Sequence, residues 1–210
     1  MKRRTSDTVR IGLTGPLGCG KSTIARWLAD AGGTIVDADA LARETTAPGQ
    51  PTLDGIRSRF GDDVFDDEGA LDRAALARIV FSDSEALRDL EAIVHPAVRR
   101  LIEAAVARAE AAGAPFLVIE AIKLVEAGYA EECDEVWLVA CRPETQRDRL
   151  WGRGFDEDDL ENRLAAQAGL VERLTPQASR VLRTDGSAAA TRDMVETALR
   201  AALAGAEAAG

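Results

Sequence analysis

The stretch Gly15-Pro16-Leu17-Gly18-Cys19-Gly20-Lys21-Ser22 decides how this 210-residue chain folds. It matches the pattern G-x-x-x-x-G-K-[ST] and lies between an apolar run at 9–14, typical of a buried strand, and a helical pattern that starts at Lys21. Glycines let the backbone curl so that successive N–H groups point inward, and these groups and the helix N-terminus bind phosphate. The stretch predicts a strand, a phosphate-binding loop and a helix in succession.

The residues of the phosphate-binding loop have separate predicted roles. We expect the side chain of Lys21 to reach the β- and γ-phosphates of a nucleoside triphosphate and Ser22 to bind Mg²⁺. The 26 basic residues include only three lysines, so a lysine at 21 indicates that a compact ammonium is needed there. The alternative is a glycine-rich turn that only connects strand to helix. The remaining predicted contacts to the nucleotide come from Gly18, Cys19, Gly20 and Thr23.

Four more apolar runs predict strands, and helical patterns separate them. The predicted strands are 9–14, 34–37, 116–120, 135–140 and 180–184. The predicted helices are 21–31, 143–151 and 188–203, with a long helical region at 53–112 that includes 72–81 and 96–112. Alternation of this kind predicts an α/β fold with a parallel sheet flanked by helices.

Two segments interrupt the simple alternation of strands and helices. The connection at about 38–114 is too long for one crossover and is mostly helical, so we interpret it as an inserted helical lobe. A second segment, at about 147–167, carries arginines, then Gly154 and an acidic run that restarts a helix, which is typical of a mobile lid. The chain is thus a single domain with its core at 9–37 and 115–205. The alanine-rich tail after Leu203 is expected to fray.

Carboxylates follow two of the predicted strands. Asp37 and Asp39 lie at the end of the second strand, where ligands bind in such sheets. Asp39 is a candidate base for an alcohol, supported by Asp37, with Arg43 one turn later; alternatively Asp39 caps a helix at 40–46. Glu120 ends the third strand and is a candidate to orient Mg²⁺, or else a solvated strand end.

Composition limits the kinds of partner. The net charge of −10 argues against binding to nucleic acid, and no apolar run is long enough for a membrane span. Three cysteines, Cys19, Cys133 and Cys141, have spacings that fit neither a disulfide framework nor a zinc site. We therefore expect reduced cysteines, a cytoplasmic location, and a minor role for Cys19 as a small residue.

Four elements of the sequence together resemble the dephospho-CoA kinase family of P-loop kinases, in order and over nearly the whole chain. They are the phosphate-binding loop, Asp37-Ala38-Asp39-x-x-Ala42-Arg43, His95-Pro96, and Pro143-Glu144-Thr145-Gln146-x-x-Arg149-Leu150-x-x-Arg153 with Gln167. The resemblance implies transfer of the γ-phosphoryl of ATP to the ribose 3′-hydroxyl of dephospho-CoA, which gives CoA and ADP.

The resemblance also implies roles for individual residues. Asp39 would be the base, Arg43 and the inserted lobe would hold the acceptor, and Arg149 and Arg153 would belong to the lid. Arg153 would act with Lys21 on the transferred phosphoryl group. His95 either contacts the acceptor or is a packed residue.

The chain departs from the family pattern at Lys123, where an apolar residue is usual. Lys123 reaches a substrate phosphate or forms an ion pair with Glu120 or Glu126. The turn at 183–186 also differs, which leaves the adenine contact there open. Other functions to weigh are a small P-loop kinase for a nucleoside, nucleotide or small alcohol, and a non-catalytic nucleotide-binding switch. We expect a monomer or a weak homo-oligomer.

Overall fold

Parallel strands form the centre of the computed structural model, which describes residues 8–208. Within that range the strands are β1 (Val9–Thr14), β2 (Thr34–Asp37), β3 (Phe116–Glu120), β4 (Glu135–Ala140) and β5 (Arg180–Arg183). Their order in the sheet is β2-β3-β1-β4-β5, and each neighbouring pair is parallel. All carboxyl ends therefore meet at one edge of the sheet, and the predicted α/β fold is confirmed.

An α-helix follows each of β1, β2, β4 and β5, whereas β3 leads to β4 through the short 3-10 helix Tyr129–Glu132. Over residues 8–208 the α-helices are α1 (Lys21–Asp30), α2 (Ala38–Thr45), α3 (Thr52–Phe60), α4 (Arg73–Ser82), α5 (Ser84–Ala111), α6 (Pro143–Trp151), α7 (Glu157–Ala166), α8 (Leu170–Leu174) and α9 (Ala188–Glu207). No helix among these residues is long and apolar enough to cross a membrane.

The strands are apolar on both faces because helices cover both. In β4, Trp137 and Val139 belong to a buried cluster with residues of α1 and α9. Leu138, which points to the opposite face, packs instead with Leu170 and Leu174 of α8. Double-sided burial explains why the strands read as continuous apolar runs rather than as alternating patterns.

The chain divides into two compact units, each with its own apolar cluster. One unit combines the residues up to Asp37 with those from Val106 onward, and it contains the whole sheet. The other, Ala38–Ala105, contains α2, α3, α4 and most of α5. Its cluster includes Ile56, Val64 and Leu76. We call the first the sheet unit and the second the helical unit.

Three predicted helix boundaries are wrong. A helix was expected to start at Pro96, but α5 runs from Ser84 with Pro96 in its interior. Asp83 accepts hydrogen bonds from the N–H groups of Glu85 and Ala86, which fixes the earlier start. Likewise α2 begins at Ala38, not at residue 40. The last helix continues to Glu207, since alanine is the strongest helix former.

The lid has the predicted local structure. A turn separates α6 from α7, and Asp156 at the N-cap of α7 accepts a hydrogen bond from the Asp159 N–H. This cap explains why the helix restarts after the glycine-containing turn.

Candidate active site

The phosphate-binding loop packs directly against the backbone of β4. At Gly15 φ is +138°, and a Cβ there would lie 2.1 Å from the carbonyl oxygen of Val139. Gly20, with φ +97°, precedes the first residue of α1. Both positions require glycine, because L side chains rarely adopt these angles and Gly15 has no space for one. The loop therefore presents its backbone N–H groups at the N-terminus of α1.

Lys21 is buried under the same loop. Its Nζ donates to the carbonyl oxygens of Gly15 at 2.9 Å and Pro16 at 3.2 Å. Hydrogen bonds compensate a buried amine for its lost hydration. The carbonyl oxygens of Gly15 and Pro16 therefore fix the position of the Lys21 amine within the loop.

Ser22 and Glu120 meet at the carboxyl edge of the sheet. The Ser22 hydroxyl donates to Oε1 of Glu120 at 3.0 Å. Asp37 is the register partner of Glu120 on the adjacent strand. Hydroxyl and carboxylate oxygens suit Mg²⁺, so the residues present fit this ion. The region that the structure describes has no cluster of three or more His, Cys, Asp or Glu residues that could hold a metal.

An arginine of the lid is tied to the loop after β5. Arg149 donates to the Thr184 hydroxyl at 2.9 Å and to the Thr184 carbonyl at 2.6 Å. The Thr184 hydroxyl in turn donates to the Cys19 carbonyl at 2.7 Å. Arg149 and Thr184 thus connect α6, the β5–α9 connection and the phosphate-binding loop.

Asp185 links the same β5–α9 connection to the start of α6 through a hydrogen bond and an ion pair with Arg142. The Arg142 N–H donates to its Oδ1 at 2.7 Å, and the Arg142 guanidinium lies 3.5 Å away. The backbone hydrogen bond, aided by Thr145 and by the charge of Arg142, outweighs partial burial and lowers the pKa of Asp185. The carboxylate therefore stays ionised and holds the connection in place.

A pocket of about 210 Å³ opens beside the loop. Two of the predicted lid arginines line it. Its lining residues are Gly18, Gly20, Thr23, Ile24, Trp27, Arg149, Arg153, Thr184, Gly186, Ala188 and Thr191. The sequence reasoning missed Ile24, Trp27, Ala188 and Thr191. Trp27 follows Thr23 at helical spacing, which places the two on one face of α1 and is the signal that was available.

The cysteine prediction is wrong, because Cys19 and Cys141 form a disulfide. They are 122 positions apart, and their Cα atoms lie 5.3 Å from each other. Local spacing gave no sign of the pair, since β1 and β4 are neighbours only in the folded sheet. Cys19 therefore has a structural role beyond being a small residue, because its disulfide links the phosphate-binding loop to the end of β4.

Cys133 is the free thiol. It donates to the Tyr129 carbonyl at 3.4 Å, and burial, aided by Asp134 and Glu132, raises its pKa to about 12. At neutral pH this thiol is un-ionised and unreactive.

Three of the predicted acceptor residues, Asp39, Arg43 and His95, lie in the helical unit, whereas Asp37 and Lys123 lie in the sheet unit. Asp39 lies in the first turn of α2 and Arg43 in the last, both exposed. Because α2 begins before Asp39, the alternative of Asp39 as an N-cap is wrong. His95 is half-buried within α5.

Comparison with known proteins shows which family this chain belongs to. A family model described as dephospho-CoA kinase matches residues 9–190. The chain belongs to the dephospho-CoA kinase family. A dephospho-CoA kinase of Symbiobacterium thermophilum is 43% identical over 93% of this chain and 82% of its own length.

Two solved structures are similar to this chain over most of its length. A dephospho-CoA kinase from Campylobacter jejuni is 25% identical, with a TM-score of 0.67 over 93% of this chain and 98% of its own. A protein named TT1252 from Thermus thermophilus is 37% identical, with a TM-score of 0.78 over 94% and 97%.

One departure from the dephospho-CoA kinase pattern is on the surface. Lys123 is exposed, just after β3 and Glu120. Whether Lys123 contacts a substrate phosphate or forms an ion pair with Glu120 or Glu126 stays a prediction.

Proposed function

We propose that this chain transfers the γ-phosphoryl group of ATP to the ribose 3′-hydroxyl of dephospho-CoA, which gives CoA and ADP as the last step of coenzyme A synthesis. The observation that carries the proposal is membership of the dephospho-CoA kinase family across residues 9–190. The phosphate-binding loop supports it, because phosphoryl transfer depends mostly on positioning and on neutralising charge.

The sheet unit supplies the groups that hold the nucleotide. Backbone N–H groups at Gly18, Cys19 and Gly20 bind phosphate oxygens, and Lys21 neutralises charge on the γ-phosphoryl group. Residues Thr23, Arg149 and Arg153 line the adjoining pocket. Ser22 and Glu120 hold Mg²⁺, which when bound screens the charge of the phosphates.

In the proposed chemical step, Asp39 of the helical unit is the proton acceptor. Asp39 takes the proton of the acceptor hydroxyl while the oxygen forms a bond to the γ-phosphorus. The bond from that phosphorus to the bridging oxygen breaks, and its electron pair leaves with ADP. Arg153 stabilises the charge on the transferred group, and closure of the lid excludes water.

The residues proposed to bind the acceptor are polar or charged. They are Asp37, Arg43, His95 and Lys123. Anionic groups of a nucleotide acceptor suit arginine and lysine. We propose no nucleic-acid partner and a monomer or weak homo-oligomer. We propose a cytoplasmic location on the activity alone, because the Cys19–Cys141 disulfide removes the argument from reduced cysteines.

A substrate panel tests this proposal. ADP release is measured with Mg-ATP in the presence of dephospho-CoA, nucleosides, nucleoside monophosphates or shikimate. We expect dephospho-CoA alone to stimulate ADP release strongly. Stimulation by another acceptor points to a different small kinase, and no stimulation by any of them points to a nucleotide-binding switch.

A further inference from the structure

Two glutamines bind the backbone of one residue of the phosphate-binding loop, Leu17. The Leu17 N–H donates to Oε1 of Gln167, and Nε2 of Gln146 donates to the Leu17 carbonyl, each at 2.8 Å. A backbone N–H only donates and a carbonyl only accepts, so these partners fix which end of each side-chain amide faces the loop. Both polar backbone groups of Leu17 are satisfied from outside the loop.

The two glutamines come from the helices on either side of the lid turn. Gln146 lies in α6, and Gln167 is the C-cap of α7. An ion pair between Arg147 and Glu161 joins the same two helices. A displacement of either helix therefore moves a group that holds Leu17.

Packing of α6 supports the same connection. A Cβ on Gly18 would lie 3.0 Å from Cγ of Leu150 and 3.3 Å from the Gln146 carbonyl oxygen. Leu150 is fully buried, and it lies one turn after Gln146 on the same helix face. The loop and α6 thus touch closely at two successive loop residues.

We propose that Gln146 and Gln167 are positioning residues for phosphoryl transfer: together they hold the two peptide groups that flank Leu17, so that the phosphate-binding loop takes its active conformation only when both lid helices are in place. The N–H groups that bind phosphate act through their fixed orientation, so a small displacement of the loop is costly to the rate. The proposal rests on the proposed function only for the choice of activity assay.

Methionine variants test the two hydrogen bonds, because methionine keeps the length of glutamine but has no amide. We expect Gln146→Met and Gln167→Met each to lower kcat/KM for ATP and the affinity for Mg-ADP about tenfold, since a polar backbone group loses its partner. The KM for dephospho-CoA should stay within about twofold. General destabilisation would impair the binding of both substrates, so a change confined to the nucleotide points to the loop. Unchanged ADP affinity in both variants would overturn the proposal.

Gln177→Met is the matched control. Gln177 is exposed and donates only to a carbonyl of its own segment, that of Arg173 at 3.4 Å. We expect its ATP kinetics and ADP affinity to equal those of the unmodified chain. A tenfold loss in this control would mean that any glutamine substitution is harmful, and would overturn the assignment to Leu17.

Glutamate variants test the direction of each bond. Gln167→Glu keeps an oxygen acceptor for the Leu17 N–H, whereas Gln146→Glu removes the donor to the Leu17 carbonyl. Both bring the same negative charge to the loop, so their difference reports hydrogen bonding. We expect Gln167→Glu to bind Mg-ADP at least fivefold more tightly than Gln146→Glu, measured by calorimetry; equal affinities would contradict the proposal. Because this comparison needs no acceptor, it stands even if dephospho-CoA fails as substrate.

Discussion

At the scale of the residue, the strictest requirement falls on Gly15. A methyl group there would meet the Val139 carbonyl at 2.1 Å, with φ at +138°. We expect Gly15→Ala to lower the free energy of unfolding by more than about 3 kcal/mol, because strain and a backbone clash add. Gly49→Ala is the control: its φ is +82° with nothing within 4 Å, so the cost is about 1–2 kcal/mol. Urea unfolding measures both, and equal losses would contradict the clash.

Lys21 gives a second prediction at this scale. Its buried ammonium fits between two carbonyl oxygens, and the planar guanidinium of arginine is larger and binds differently. We expect Lys21→Arg to lower kcat/KM for ATP about 100-fold, as misplacement by about 1 Å does in other sites. Arg192→Lys, an exchange in an exposed ion pair on α9, is the control. Near-normal kinetics of Lys21→Arg would mean that charge alone suffices.

Residues whose roles follow from local spacing are the ones that sequence reasoning could predict. The loop pattern placed Lys21 and Ser22, and the end of an apolar run placed Glu120, which the structure brings to Ser22. Thr184 and Cys141 were not assigned, because their contacts with the loop depend on β4 and β5 lying next to β1 in the sheet. Strand order is a property of the fold that periodicity does not contain.

At the scale of elements, the disulfide joins the phosphate-binding loop to β4. Reduction should lower the free energy of unfolding by about 4 kcal/mol, since closing so long a loop removes much entropy from the unfolded chain. Urea unfolding with and without a dithiol reductant measures this. Cys141→Ala should be insensitive to the reductant, whereas Cys133→Ala should respond as the unmodified chain does. Equal stability of the oxidised and reduced protein would contradict the prediction.

An ion pair between Glu135 of β4 and Arg180 of β5 makes a contribution to stability that depends on pH. Burial raises the pKa of Glu135, but hydrogen bonds from Arg180 and Trp137 lower it by more, so the net pKa is lowered. The pair therefore stabilises the fold at pH values above the ordinary glutamate pKa of about 4.3. This stabilisation is lost as the pH falls below about 4.3 and Glu135 becomes protonated. We expect the stability difference between the unmodified chain and Arg180→Met to shrink from pH 6 to pH 3 in urea unfolding. A constant difference would show that the ionic contact has no part in it.

Element boundaries show where tertiary structure overrides local signals. Proline at residue 96 predicted a helix start, yet α5 continues through it with Ala86 buried before it and Val98 buried after it. Burial on both sides compensates for the single backbone hydrogen bond that proline cannot donate. The strands, bounded by glycine and acidic residues, were predicted almost to the residue.

At the scale of the whole molecule, negative charge exceeds positive charge. The net charge is −10, yet the pocket beside the phosphate-binding loop is lined by Arg149 and Arg153. An acidic chain that binds anionic ligands needs such a local site, because its overall field repels them. The pocket draws all its lining residues from the sheet unit.

The division into two units predicts a separation of binding from chemistry. Asp39 belongs to the helical unit, whereas every residue that lines the pocket beside the phosphate-binding loop, where we propose that the nucleotide binds, belongs to the sheet unit. We therefore expect Asp39→Asn to keep the affinity for Mg-ADP within about twofold while lowering kcat about 10²- to 10⁴-fold, the usual effect of losing a general base. Asp54→Asn, an exposed aspartate of α3, is the control and should keep full activity. Calorimetry gives the affinity and ADP release gives kcat. An unchanged kcat would remove Asp39 from the chemistry, and a parallel loss of ADP affinity would mean that the helical unit helps to hold the nucleotide.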